Sequence, residues 1–286
     1  MPNDAIAAEK LEYRYGDLRA VKGISFTVGT QKILGFLGPN GAGKTTTFKM
    51  LTGQLRPRSG TATLLGMDIS KDLEKVQARI GVCFETTNLY EQMSAIENLN
   101  LFARIFRMPD FSAEDLLDRV GLGGRGRDRV ATYSKGMKQR LMIARSIINK
   151  PDILFLDEPT AGLDPTSSER IRDVILEERE RGASVFLTTH DMMEADKLSD
   201  TVAFMNSGEI AALDTPLNLK RKYGRRALKV TVAAGDGLAD REITLDEPGT
   251  ADAVRDLFAR ENVVTVHSEE ATLEDIFIQL TGARLA

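Results

Sequence analysis

The chain has 286 residues, 42% of them hydrophobic and 28% charged, with a formal net charge of −4. That balance describes a globular protein with a core large enough to need no staples, and it excludes the basic excess of a nucleic-acid binder. The single cysteine, Cys83, cannot close an internal disulfide, the opening Met1-Pro2-Asn3-Asp4 lacks a signal-peptide pattern, and no run of about 18 apolar residues occurs to cross a bilayer, so work at a membrane needs a separate spanning subunit.

Between residues 10 and 35, apolar and polar positions alternate, as in Ile24-Ser25-Phe26-Thr27-Val28, which predicts antiparallel strands. Ile33-Leu34-Gly35-Phe36-Leu37 reads as a short buried strand and Thr46 to Leu51 as the start of a helix. Between them lies Gly38-Pro39-Asn40-Gly41-Ala42-Gly43-Lys44-Thr45, two glycines, four spacers, a lysine and a hydroxyl residue. A glycine-rich turn from strand to helix aims successive backbone N–H groups at a phosphate chain. Lys44 adds a cation for the β- and γ-phosphates, and Thr45 a hydroxyl for Mg²⁺. The chain is therefore expected to bind a nucleoside triphosphate.

Residues 61–70 read as another short strand and turn, and Cys83, within the apolar run Ile80 to Phe84, as a buried thiol packing like a small hydrophobe. From about residue 88 to residue 150 the pattern becomes helical, with Ile96, Leu99, Phe102, Ala103 and Phe106 on a core-facing stripe. Residues 152–156 and 184–189 are apolar strands flanking a helix from Ser167 to Arg181, the unit of a parallel sheet. The first ends in Asp157-Glu158: an acid at the end of a buried strand beside a phosphate loop holds Mg²⁺, and the next is placed to take a proton from attacking water. Residues 202–205 add a last strand. The basic stretch Leu219 to Arg226 reads as a solvated linker, with contact to anionic lipid headgroups as the sharper alternative. Beyond it, strands at 228–233, 242–245 and 263–266 and a helix at 250–261 form a small α/β module. Its closing helix begins at Thr272, with Asp275 as a partial capping box, and carries Leu273, Ile276, Phe277 and Leu280 on one face, expected to pack within the module.

Two further stretches decide among phosphate-loop proteins: Tyr133-Ser134-Lys135-Gly136-Met137 before a helix, and His190 after the strand 184–189. With these in order, the chain resembles the ATP-binding subunit of an ABC transporter over roughly residues 5–220. The resemblance implies an α/β fold: a phosphate-loop ABC ATPase core over residues 1–222, with a mixed sheet, an antiparallel β subdomain and a helical subdomain at about 88–150. Residues 227–286 would be an accessory α/β module similar to that of bacterial drug and sodium exporters. It implies that Tyr15 stacks on adenine and that Gly38, Pro39, Asn40, Gly41, Ala42, Gly43, Lys44, Thr45 and Thr46 cradle the phosphates. Thr45, Asp157 and Glu85 would hold Mg²⁺, Glu158 would be the base, and His190 the γ-phosphate contact. Ser134, Lys135, Gly136 and Asp164 would face the nucleotide of a second copy. The implied cofactors are ATP and Mg²⁺, and the implied partners a homodimeric mate and a membrane-spanning permease, at the cytoplasmic face of the membrane and with no nucleic acid. The rival is a soluble ABC ATPase acting on ribosomes or DNA. Two positions depart from the family pattern: Glu85 replaces a glutamine, and Lys135 replaces the first glycine of the signature pair. Lys135 would add a cation toward the partner's nucleotide or point into solvent, with backbone strain if its φ must be positive.

Overall fold

The computed structural model describes residues 4–224, 226–234, 237–245 and 247–282. Met1 to Asn3 and Arg225, which entered the readings of the N-terminus and the basic stretch, lie outside the described residues, as does the end of the C-terminal module beyond 282. The chain divides into two compact units, one ending at Asp214 and the other starting at Thr215.

In the first unit, β1 (Asp4–Tyr15) and β2 (Leu18–Gly29) form an antiparallel hairpin, and β3 (Ile33–Leu37) leads into α1 (Lys44–Leu51). A second hairpin joins β4 (Ser59–Leu64) to β5 (Met67–Asp68); its turn residues Leu65 and Gly66 both have positive φ, 54° and 75°, as a primed two-residue turn requires. After α2 (Leu73–Gln77) and β6 (Ile80–Cys83) come the helices α3 (Ala95–Ile105), α4 (Ala113–Arg119) and α5 (Lys135–Ser146). Then follow β7 (Ile153–Asp157), α6 (Pro165–Arg181), β8 (Ser184–Thr189), α7 (Met192–Leu198), β9 (Thr201–Asn206) and β10 (Glu209–Asp214).

Two sheets result, an antiparallel one in the order β2-β1-β4-β5 and a mixed one in the order β10-β9-β3-β8-β7-β6, parallel except for β10. Every residue of β3, β7 and β8 is buried, which is why their centres read as short apolar runs while β2 alternates. Phe26 of the antiparallel sheet packs on Phe36 and Phe186 of the mixed one, with ring centroids 5.4 and 5.9 Å apart. Each such phenyl contributes roughly 1.5–3 kcal/mol by burial. On the helical side, Leu99, Leu141, Val174 and Ile175 close over Leu154 and Leu187. Because β8 lies between β3 and β7, the carboxyl ends Leu37, Thr189 and Asp157 come side by side, and a ligand site forms at such strand ends.

The second unit contains α8 (Pro216–Tyr223), β11 (Arg226–Ala234), β12 (Gly237–Thr244), α9 (Thr250–Arg260), β13 (Asn262–Glu270) and α10 (Leu273–Thr281). Its sheet runs β12-β11-β13, with β11 antiparallel to both neighbours. The basic stretch expected to be a linker is largely helix α8: Thr215 accepts a hydrogen bond from the Asn218 N–H, Pro216 occupies the first turn, and Leu219 is buried. A single buried leucine among consecutive cations hides the helical period. The Thr272–Asp275 capping box is complete, and Leu273, Ile276 and Phe277 are buried as α10 packs against α8 within the unit.

Candidate active site

The turn after β3 is shaped by backbone that only glycine tolerates. Gly43 has φ 107°, and a Cβ there would stand 2.5 Å from the Ala20 carbonyl oxygen. Its carbonyl accepts from the Thr47 N–H at 2.9 Å, starting α1. The Lys44 side chain, only 6% exposed, folds back to donate to the carbonyls of Gly38 at 2.6 Å and Pro39 at 3.3 Å, so the ammonium is held at the mouth of the loop.

Glu158 follows directly on β7 with φ 50°, a left-handed conformation costing roughly 1–3 kcal/mol for a non-glycine residue. Its N–H donates to the Thr188 carbonyl at 3.0 Å, which fixes the turn. The buried carboxylate is thereby set between two partners: Oε2 lies 2.8 Å from His190 Nδ1, and Oε1 lies 3.4 Å from Lys44 Nζ. One residue earlier, Asp157 accepts from the Thr188 hydroxyl and, at 3.4 Å, from the Thr45 hydroxyl. Burial, and then the charges of Glu85 and Glu158, push its proton affinity up, while the Thr188 and Thr45 hydroxyls pull it down; the net shift is upward. A cation at this point removes that penalty. The pairing of a hydroxyl with a carboxylate is a hard-oxygen set of the kind that holds Mg²⁺ together with phosphate oxygens, so these residues fit the ion.

These side chains open into one pocket lined by Tyr15, Leu18, Ala20, Pro39, Asn40, Gly41, Gly43, Lys44, Thr45, Thr46, Glu85, Glu158 and His190. Tyr15 stands 47% exposed at its rim, braced edge-on by Tyr13 with ring centroids 4.9 Å apart. Gly38 and Ala42 are buried behind the lining and shape the loop. The remaining predicted residues fall outside this pocket. Ser134 caps α5 by accepting from the Met137 N–H, and Asp164 caps α6 by accepting from the Ser167 N–H at 2.9 Å. The two helix starts are packed together, for a Cβ on Gly136 would meet Ser167 Oγ at 2.9 Å. One chain thus carries the Lys44–Glu158–His190 pocket and, outside its lining, a second cluster where the starts of α5 and α6 meet.

The chain is similar to known proteins of one family. A family model for the ABC transporter matches residues 21–161. A fluoroquinolones export ATP-binding protein of Mycobacterium tuberculosis is 42% identical over 99% of this chain and 95% of its own length. The daunorubicin/doxorubicin resistance ATP-binding protein of Streptomyces peucetius is 35% identical over 98% of this chain and 93% of its own. Among solved structures, the ATP-binding subunit of an ABC transporter superposes with a TM-score of 0.70 at 28% identity, covering 77% of this chain and 93% of that one. The chain belongs to the ABC transporter family, as an ATP-binding subunit. It is an ABC ATPase.

In this ABC ATPase, Lys135 is the first residue of α5 and has no positive φ, so the expected backbone strain is absent; helical backbone accepts lysine as readily as glycine there. Its ammonium lies over the turn at Gly162, 2.6 Å from where a Cβ would sit. Cys83 is a core thiol, its pKa pushed by burial up to about 12. Sequence reasoning missed Leu18 and Ala20 in the pocket wall, which carry no chemistry of their own, and Thr188, the hydroxyl that orients Asp157. It also missed Arg145, 6% exposed on α5, whose guanidinium donates to the Asn88 carbonyl at 2.7 Å and stacks on Phe102 at 4.7 Å. Its signal in the sequence is a charge interrupting the apolar stretch Leu141 to Ile148.

Proposed function

We propose that this chain is the ATP-driven motor of a drug-export ABC transporter, working as a pair of copies at the cytoplasmic face of a membrane and docked to a permease that spans it. The observation that carries this reading is the separation of the Lys44–Glu158–His190 pocket from the Ser134–Gly136 cluster in one chain. Two copies related by a two-fold axis would each complete the other's site, and MgATP, bridging both, would favour the closed pair. The export and resistance proteins to which the chain is similar support drug efflux over action on ribosomes or DNA.

The roles follow from the geometry. Lys44 neutralises phosphate charge; Thr45 and Asp157 would hold Mg²⁺, which supplies electrostatic stabilisation of the transferring phosphoryl group, and Glu85 would add a further ligand. Glu158 accepts the proton of the attacking water, and His190, hydrogen-bonded to it, orients that carboxylate and meets the γ-phosphate. Tyr15 offers a face for adenine.

A groove beside β6, lined by Val82, Phe84, Phe102 and Phe106 together with polar groups such as Gln54, Gln77, Arg145 and Asn149, would receive an amphipathic segment of the permease. Phe84 adjoins Glu85, so pressure in the groove reaches the nucleotide pocket within one residue.

Complementation between copies tests the pairing. Lys44→Ala and Ser134→Arg chains should each be inactive alone, yet their mixture, with permease present, should recover hydrolysis, because a mixed pair retains one intact site. No recovery on mixing, or full activity of Ser134→Arg alone, would overturn it.

A further inference from the structure

The nucleotide pocket carries an unusual charge balance. Glu85 and Glu158 line it, Asp157 lies behind Thr45, and the ammonium of Lys44 is the one lysine or arginine among the lining residues. A triphosphate entering this space adds further negative charge beside Glu85, and one divalent ion cannot offset every carboxylate as well as the phosphates. Closure of two such pockets therefore calls for positive charge from outside the chain that binds the nucleotide.

The cluster at the start of α5 supplies a candidate. Lys135 is exposed and adjoins Ser134, the residue that caps the helix. Its helical backbone leaves the side chain free of local strain, and its ammonium stands over the turn at Gly162, where φ is 65° and the missing Cβ leaves room. One turn further along α5, Lys138 is already committed to Glu91 at 2.5 Å. Lys135 forms no ion pair among the described residues, so its charge remains available at the surface.

We infer that Lys135 of one copy offsets Glu85 of the other, meeting the γ-phosphate and the Glu85 carboxylate together when two copies close on MgATP. This rests on the two-copy reading above and extends it: the two departures from the family pattern act as a charge-compensating pair across the interface. A lysine that merely braced the turn at Gly162 would act without regard to Glu85.

A double-mutant cycle on full-length chain separates these cases. Hydrolysis is arrested with Glu158→Gln, and MgATP-driven dimerisation is read by analytical ultracentrifugation, with ATP binding to the monomer measured in parallel. Adding Lys135→Gly should weaken the dimer about tenfold, and Lys135→Arg should keep it within about twofold. With Glu85→Gln also present, Lys135→Gly should cost about threefold or less. Equal losses in both backgrounds, or no loss in either, overturn the inference while leaving the two-copy reading intact. A Glu158→Gln parent that stays monomeric in MgATP sinks the two-copy reading, and this inference with it.

Discussion

Glu158→Gln should separate binding from chemistry. The amide keeps the side-chain shape, and its oxygen can still accept from His190, so the turn at φ 50° is not disturbed. What disappears is the proton acceptor. Loss of a positioned general base costs about 10²–10⁴-fold in turnover, or roughly 2.7–5.4 kcal/mol of transition-state stabilisation. The neighbouring ammonium is not stranded, because Lys44 keeps the Gly38 and Pro39 carbonyls at 2.6 and 3.3 Å. Stability should accordingly fall by much less than the roughly 3–5 kcal/mol that follows when a buried charge loses its only partner. Steady-state phosphate release, binding of a fluorescent ATP analogue and urea unfolding measure the three quantities. Turnover within about threefold of the parent would refute the assignment of Glu158 as base. Collapse of nucleotide binding and stability together would show that the carboxylate serves mainly to hold Lys44.

Gly43→Ala forces a Cβ against the Ala20 carbonyl at φ 107°, a strain of roughly 1–3 kcal/mol; ATP affinity by titration calorimetry should drop about tenfold or more. Asp157→Asn should raise the melting temperature of nucleotide-free protein at pH 7 while abolishing MgATP hydrolysis. The sign follows from the upward shift caused mainly by burial: the ionised side chain is disfavoured in the folded state, so its cost appears as pH rises through the ordinary carboxylate range and persists above the raised folded value. The gain from the amide should therefore shrink toward zero in melts below the ordinary carboxylate range, whereas a constant gain from acid to neutral pH would contradict this cause. Arg145→Met keeps much of the packing on Phe102 but removes charge-assisted bonds to Asn88, worth about 1.5–3 kcal/mol; chemical denaturation should show a loss of that size.

How legible these features were depends on how locally each is encoded. The phosphate loop was readable because its turn, cation and hydroxyl all lie within eight consecutive residues, from Gly38 to Thr45. The strands of the mixed sheet are readable because β3, β7 and β8 are buried on both faces, so their apolar runs 33–37, 153–156 and 185–187 are unbroken, with polar residues only at the ends of β7 and β8. The short α2 was not, since five residues give barely more than one turn of pattern and bury one side chain, Val76. The left-handed turn at Glu158 was also invisible: nothing in a glutamate announces positive φ, and the conformation is imposed by the Thr188 carbonyl thirty residues away. The close seating of Gly136 on Ser167 likewise depends on tertiary packing rather than on any run of residues.

That packing gives α5 a position from which two distant groups can be linked. Near its start are Ser134 and Lys135; farther along, Gln139 donates to Cys83 at 3.8 Å and Arg145 grips Asn88. Cys83 and Asn88 stand on either side of Glu85 in the chain, so the loop bearing Glu85 is tied to α5 at both ends. A helix of this length spans about 18 Å and resists bending. Displacement of Glu85 by a nucleotide, or of Phe84 by a segment in the groove, would therefore load these ties. Such a displacement would pull on α5 through these contacts, and with it on Ser134 and Lys135. Such a linkage would need no contact between the Lys44–Glu158 pocket and the Ser134 cluster of one chain, only a stiff helix and two side-chain anchors.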